Sequence, residues 1–333
     1  MPVLMDLSVI ICTRNRAESL SYTLQSLADM SRPPNLAWEV LVVDNGCTDH
    51  TPHVIQGFQA RLPLMASKEQ ASGLSNARNR GVSVARGRYL VWTDDDVQVD
   101  RNWLVAYAEA FRQRPSAVLF GGPVVAVLEQ PAAAWFAASL CELADLLAVR
   151  DFGENPIPLT EQRLPFGANY AIRREEQRRF PYDPDLGAHP GRFRLGEETK
   201  VMRAILAAGG TGFTVPAAKV RHMIPRHRQT LAYVMAYYRA QGETDALAAS
   251  PLSPPTSASS GSRRVSLRLW LLCKTAMASA AFACTRPFAP PRVYVRYLKW
   301  LAYSRGYAAR LSERHRPPDF GHSSRSGPLS GIR

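Results

Sequence analysis

A short apolar run that ends in three consecutive aspartates, Arg88-Tyr-Leu-Val-Trp-Thr-Asp94-Asp95-Asp96-Val, restricts what this chain can fold into more than any other stretch. Tyr89 to Trp92 are β-prone apolar residues, and a run of that length reads as a buried strand. One Asp at a strand end is an ordinary turn residue. Three adjacent carboxylates oppose one another's ionisation, so the arrangement is costly unless a cation sits among them. A hard divalent ion such as Mg²⁺ or Mn²⁺ takes oxygen ligands and keeps positions open for phosphate oxygens. A solvated acidic turn is the alternative, and this stretch alone does not choose between the two.

The flanking sequence supplies a frame. Leu7 to Cys12 and Glu39 to Asp44 read as two more buried strands. Asn15 and Glu18 have the spacing of a capping box, and Leu20, Leu24 and Leu27 give the following helix one apolar face. Asn45-Gly46 turns the chain after Asp44, and Asp49-x-Thr51 opens another helix. Leu62 to Ala66 suits a short edge strand, because Pro63 is excluded from a central one. A helix from about Ser72 to Arg86 then leads into the aspartate strand. Strand alternating with helix predicts an α/β fold with a doubly wound, mostly parallel sheet. Ligands of such sheets bind outside the carboxyl ends of the strands, where Asp44 and Asp94 both fall.

Past the aspartates the pattern is less regular. Asn102 to Arg114 reads as an amphipathic helix, and Ala117 to Leu128 as one strand bent at Gly121-Gly122. Pro131 to Leu147 is Ala- and Leu-rich and reads as helical. Residues 150–164 lack periodicity and read as a loop near the site. Pro165-Phe-Gly-Ala-Asn169 leads into a strand, with Gly167 where a backbone could approach a ligand closely. Glu197 and Glu198 open a helix that runs to Ala208, a position that also suits the helix dipole. Val215 to Val220 reads as a short strand, and His222 follows it.

Charge divides the chain. Residues 221–333 carry 18 Lys/Arg against 4 Asp/Glu, so the net charge of +13 belongs to the C-terminal third. Arg263 to Arg286 and Val293 to Arg314 read as basic helices with interleaved aromatics. Arg292, Arg296 and Lys299 recur at helical spacing, a composition suited to an anionic membrane surface; a helical hairpin packed on the rest, with a solvated basic face, is the alternative. No nucleic-acid motif is recognisable. No charge-free apolar run reaches the ~18 residues of a membrane span. Met1 to Asp6 lack a basic leader region, so no signal peptide is expected. The five cysteines form no CxxC pair, as for reduced thiols in a cytoplasmic protein. The expected organisation is a catalytic unit over 1–225, with its nucleotide part in 1–100 and its acceptor side in 101–225. A basic helical appendage over 226–316 would follow, with a linker at 248–262 and a disordered tail at 317–333.

In order, Ser8-Val-Ile-Ile-Cys-Thr-Arg-Asn-Arg16, Val42-Val-Asp-Asn-Gly-Cys-Thr-Asp49, Ala77-Arg-Asn79, Thr93-Asp-Asp-Asp96, Gly167-Ala-Asn169 and Gly196-Glu-Glu198 resemble the inverting family 2 glycosyltransferases of GT-A fold. Each piece alone is weak; six in order over roughly residues 7–222 are specific. The resemblance implies a nucleotide-diphosphate sugar donor, a saccharide or lipid-linked acceptor, and Mg²⁺ or Mn²⁺. It implies that Thr13, Asn15, Arg16 and Asp44 line the nucleoside pocket, with Arg78 holding base or diphosphate. Asp94 would contact the ribose and metal region, with Asp95 beside it at the donor site. Asp96, Asp94 and His222 would form the metal site, and Gly167 and Asn169 would border donor sugar and acceptor. The family's base is usually the Asp of an acidic pair. Here the pair is Glu197-Glu198, with Glu198 the base by position and Glu197 the alternative. Cys47 replaces a more usual Ser, with no catalytic consequence expected. The implied setting is polysaccharide or glycolipid assembly in the cytoplasm, at the inner face of the membrane where the basic helices touch it. The rival readings are an inactive membrane-associated scaffold of the same fold and a nucleotidyltransferase. A dehydrogenase is disfavoured because no GxGxxG follows a strand.

Overall fold

The computed structural model describes residues 5–249 and 260–313. The first four residues, positions 250–259 of the expected linker and the expected 317–333 tail lie outside the described residues. The strands are β1 (Leu7–Thr13), β2 (Trp38–Asp44), β3 (Leu64–Lys68), β4 (Tyr89–Trp92), β5 (Val97–Val99), β6 (Leu119–Gly121), β7 (Val124–Leu128), β8 (Tyr170–Arg173), β9 (Ala188–His189), β10 (Arg192–Phe193), β11 (Gly212–Thr214) and β12 (Val220–Ile224). The helices are α1 (Ala17–Asp29), α2 (Thr51–Phe58), α3 (Leu74–Val84), α4 (Trp103–Gln113), α5 (Ala134–Ala137), α6 (Arg174–Arg179), α7 (Glu197–Ala207), α8 (Leu231–Ala248), α9 (Ser260–Thr285) and α10 (Pro291–Glu313).

The central sheet has the order β11-β6-β8-β4-β1-β2-β3. β1 pairs parallel with β2 and β4, β2 with β3, and β6 with β11, while β8 runs antiparallel to β4 and β6. The continuous apolar runs of β1, β2 and β4 are what two covered faces demand. Leu7, Val9 and Ile11 pack with Leu20, Leu24 and Leu27 of α1 on one face. Ile10, Leu41, Val43, Leu90 and Trp92 pack with Ala77 and Val82 of α3 on the other. The mostly parallel sheet expected from the alternation is therefore present, and β3 lies on its edge.

Four local expectations give way to tertiary contacts. Residues 117–128 are two strands, not one bent strand: β6 stays in the central sheet, while β7 joins β12 and β5 in a second one. The break falls at Gly122, where a Cβ would collide with the Ala218 carbonyl and Asn169 Nδ2. Residues 215–219 are a connection, with β11 and β12 on either side. Residues 131–147 hold only α5 and a single 3₁₀ turn at Leu140–Leu143, because Phe136, Leu143 and Leu147 are drawn into packing against α8 and α10. The Asn15 capping box does not form. Asn15 takes the left-handed conformation (φ 52°), and the Ala17 amide at the start of α1 donates instead to Asp49 Oδ2 at 3.1 Å. Asp49 Oδ1 accepts from the Thr51 amide at 3.1 Å, so one carboxylate serves two helix starts.

The basic helices form, but α10 turns its apolar side inward. Tyr294, Val295, Leu298 and Ala302 pack with Val234 and Tyr238 of α8 and with Ile224. Two of the three basic residues expected to face lipid are engaged by protein: Arg296 binds Glu142 at 2.6 Å, and Lys299 reaches the Glu142 carbonyl. α8 and α10 cross closely, because a Cβ at Gly242 would strike the Tyr303 carbonyl and one at Gly306 the Arg239 carbonyl. Among the described residues no helix is long and apolar enough to cross a membrane.

Candidate active site

The three aspartates coexist because each lies against a cation: Asp95 and Asp96 share Arg16, and Asp94 lies by Arg78. Asp95 points back to β1, where it accepts from Thr13 Oγ1 at 2.7 Å and from Arg16 Nη1 at 2.5 Å. It is 4% exposed, and burial pushes its carboxyl up to about 7 against the pull of Arg16. Asp95 thus holds Thr13 and Arg16, both expected at the donor site. Asp94 is the open member, with its side chain 36% exposed and Arg78 Nη2 at 3.7 Å. Desolvation raises its pKa, with Arg78 opposing.

Asp96 is buried among cations. Its Oδ2 lies 2.8 Å from Arg16, 3.3 Å from Arg228 and 3.4 Å from His222 Nε2. Burial alone would raise its pKa, but His222, Arg16 and Arg228 outweigh that and hold it well below the carboxylate range. His222 shows the mirror effect: burial disfavours its charged form, yet Asp96 raises its pKa above the ordinary value. Asp96 Oδ1 is buried with no hydrogen-bond partner.

These residues fit a divalent cation. The orphaned Oδ1 is a hard, anionic oxygen. His222 Nδ1 lies 3.1 Å from the Leu147 carbonyl, a contact that fixes the ring and aims Nε2 at Asp96. Among the described residues no three His, Cys, Asp or Glu side chains form a ready cage. Phosphate oxygens and water would have to complete the shell, as is usual for Mg²⁺ bound with a nucleotide.

Arg78, from α3, joins this edge of the sheet to α7. It is 3% exposed, lies 2.8 Å from Glu197 Oε1 and 3.7 Å from Glu198 Oε2, and sits over the Tyr182 ring. Glu197 is buried; burial and the neighbouring Glu198 push its carboxyl up to about 8, with Arg78 opposing. Glu198 is more open, and its Oε2 has no hydrogen-bond partner. A Cβ at Gly167 would stand 2.9 Å from Arg78 Nη2 and 3.3 Å from Glu198 Oε1, so the glycine lets the 165–169 loop close over both.

Thr13, Asn15 and Asp44 gather at the carboxyl ends of β1 and β2. Asp44 Oδ1 accepts from the Cys47 amide at 2.7 Å, and Asn15 Oδ1 from the Thr48 amide at 2.7 Å. Burial pushes the Cys47 thiol up to about 11, which leaves it unreactive. Asn169 departs from expectation. It is fully buried, its Oδ1 accepts from Trp103 Nε1 and Tyr107 at 2.9 Å each, and its Nδ2 donates to the Pro123 and Ala218 carbonyls. Its hydrogen-bonding capacity is spent inside the protein, so it fastens two sheets and α4 together rather than bordering a ligand. Sequence reasoning missed Arg228. The available signal was a basic stretch, Arg226-His-Arg228, six residues beyond His222 at the end of β12.

The fold is that of the GT-A glycosyltransferases. It superposes on the mannosyltransferase PcManGT from Pyrobaculum calidifontis, solved with GDP-Man and Mn²⁺, with a TM-score of 0.57 at 18% identity over 91% of this chain and 86% of that one. S. aureus TarS 1-349, solved with UDP-GlcNAc, gives 0.54 at 16% identity over 93% and 92%. Residues 8–136 match Glycosyl transferase family 2. The succinoglycan biosynthesis protein ExoM of Rhizobium meliloti is 28% identical over 246 residues, 72% of this chain and 74% of that protein. The chain thus resembles the family 2 glycosyltransferases, over residues 8–136 by the family match and over 246 residues by this relative.

Proposed function

We propose that the protein moves a sugar, with inversion and with help from Mg²⁺ or Mn²⁺, from a nucleotide diphosphate to an acceptor hydroxyl in saccharide or glycolipid assembly. The observation that carries this reading is the buried, half-unpartnered Asp96 ringed by Arg16, Arg228 and His222. Arg16 and Arg228 bring positive charge to that carboxylate, which suits a diphosphate. Thr13, Asn15 and Asp44 line the nucleoside end. Asp94 and Arg78 stand between that end and Glu198.

An alcohol is a poor nucleophile at neutral pH. In this reading the Glu198 carboxylate takes the acceptor hydroxyl's proton as its oxygen bonds to the anomeric carbon. The bond from that carbon to the phosphate oxygen breaks on the opposite side. A bound divalent ion would supply Lewis-acid stabilisation of the leaving diphosphate. Arg16 and Arg228 neutralise charge there. Glu197 holds Arg78 in place.

The two solved relatives carry different nucleotides, so the donor base is open to experiment. UDP, GDP and dTDP, each with and without Mn²⁺, are compared for thermal stabilisation of wild type, Asp96→Ala and Asp96→Asn. Stabilisation by one nucleotide, dependent on metal and absent from both variants, is expected. No stabilisation of folded wild type by any of them would leave a scaffold of this fold as the better reading.

We also propose that the acceptor is met at an anionic membrane surface. Phe288 is 91% exposed, and Met277, Trp300, Arg286 and Arg292 are also exposed on α9, α10 and their connection. Full-length protein should float with anionic liposomes, and Phe288→Glu/Trp300→Glu should not. Equal behaviour of the two rejects the membrane reading.

A further inference from the structure

The Ala77-Arg-Asn79 stretch puts two polar side chains next to each other on α3, and only Arg78 touches the carboxylates of the site. Asn79 reaches the segment after α6. Its Oδ1 accepts from the Tyr182 amide at 2.9 Å, and its Nδ2 donates to the Tyr182 carbonyl at 2.8 Å. An asparagine side chain carries the same donor and acceptor as a peptide group, so it can satisfy both backbone groups of one residue. An anchor across 103 residues would be explanation enough if Tyr182 only filled space.

The Tyr182 ring is fully buried and lies 5.5 Å from the Arg78 guanidinium. It is held from several sides. It meets Trp92 in a T-shaped contact, with centroids 5.5 Å apart at 80°. Its hydroxyl donates to Gln177 Oε1 at 3.1 Å. That amide oxygen only accepts, so the Tyr182 oxygen is left to accept from the Tyr170 hydroxyl. Asn79 fixes the backbone. A desolvated guanidinium is attracted to an aromatic face, and a ring that cannot turn determines where the guanidinium rests. Arg78 then stands 2.8 Å from Glu197, and 3.7 Å from both Glu198 Oε2 and Asp94 Oδ1.

We infer that Asn79 and Tyr182 are positioning residues for the transfer reaction: they hold the Arg78 guanidinium at the Glu197–Glu198 pair and so fix where Glu198 stands. This rests on reading Glu198 as the base. Without the ring, Arg78 keeps its ion pair with Glu197 but loses the surface it rests on. It is then free to draw closer to Glu198 or to Asp94. Either move displaces a group on which the base depends, and rates fall steeply when reacting groups are misplaced. Neither Asn79 nor Tyr182 needs to touch a substrate for this.

The test compares Tyr182→Leu, Tyr182→Phe and Asn79→Ala with wild type on the full chain. The Arg78 Nε–H signal in the ¹H–¹⁵N spectrum, identified by its absence from Arg78→Lys, reports on the guanidinium's surroundings. It should move in Tyr182→Leu and Asn79→Ala and stay in place in Tyr182→Phe, which keeps the ring. Rates come from Mn²⁺-dependent hydrolysis of UDP-glucose, UDP-GlcNAc and GDP-mannose, in which water takes the acceptor's place before the same base. For a donor that wild type turns over, kcat should fall about tenfold in Tyr182→Leu and Asn79→Ala at unchanged KM. Tyr182→Phe should keep the wild-type kcat while melting at a lower temperature. A purely structural role would lower melting temperatures and leave kcat per folded molecule unchanged in all three. That result, or an unmoved Arg78 signal in Tyr182→Leu, overturns the inference and leaves the base reading standing. Wild type that turns over none of the donors removes that reading, and the inference with it.

Discussion

Arg78 Nη1 stands 2.8 Å from Glu197 Oε1 and joins the middle of one helix to the first turn of another. That single pairing makes two neighbouring glutamates unequal. Glu197 is enclosed and matched to a cation. Glu198 stands further from the same cation, its Oε2 3.7 Å from Arg78 Nη1 and without a hydrogen-bond partner.

Glu198→Gln should therefore lower transfer by about 10²- to 10⁴-fold while leaving Mn²⁺-dependent nucleotide stabilisation intact. Glu197→Gln should lower the melting temperature first. If Glu197→Gln instead abolishes turnover in a fully folded protein and Glu198→Gln does not, the base is Glu197. Steady-state rates beside melting curves decide it.

Gly167→Ala places a methyl group 2.9 Å from Arg78 Nη2 and 3.3 Å from Glu198 Oε1. Both side chains must shift to admit it. A fall in kcat is expected at nearly unchanged stability, because the surrounding backbone is not struck. A variant with wild-type kcat would mean that the 165–169 loop stands off from the reacting groups.

Asn169→Ala should act on folding. Its removal takes a hydrogen bond from an indole N–H, a tyrosine hydroxyl and the Ala218 carbonyl, while the Pro123 carbonyl keeps the Val220 amide, a loss of about 3–5 kcal/mol. Chemical denaturation measures it. Nucleotide affinity of the protein that remains folded should match wild type; a selective loss of affinity would return Asn169 to the ligand site.

Glu39 sets a pH dependence far from the cleft. It is buried and accepts from Ser8 Oγ at 2.6 Å, from the Arg86 amide at 2.8 Å and from the Arg86 side chain. Burial pushes its pKa up, but these bonds prevail and hold it below the ordinary value. A depressed carboxyl stabilises the fold above its unfolded pKa, near ~4.3, and loses that contribution as pH falls through the folded value. Glu39→Gln should cost about 1–3 kcal/mol at pH 7, with the gap to wild type closing below pH ~4. A gap that stays constant with pH would show that the ion pair contributes nothing.

The strands that build the cleft were legible because a strand covered on both faces must be apolar almost throughout, as Leu7–Thr13 and Trp38–Asp44 are. The aspartates at their ends, and the two glutamates at a helix start, are local signals. What escaped was whatever depends on a distant partner. Asp49 caps a helix 32 residues upstream. Asn169 is saturated by groups 46 to 66 residues away. Arg296, which in isolation reads as a lipid-facing charge, finds Glu142 across 154 residues. Arg228 carries no motif of its own; only the fold brings it to Asp96.

The close crossing at Gly242 and Gly306 has a practical meaning for anyone shortening the gene. Charge suggests a natural cut near residue 225, yet α8 contributes the surface that seats α10. A fragment ending before residue 291 would leave Val234 and Tyr238 facing water along a glycine-floored furrow. The smallest piece worth expressing therefore runs through the last described helix, and a truncated enzyme that precipitates would say nothing about its chemistry.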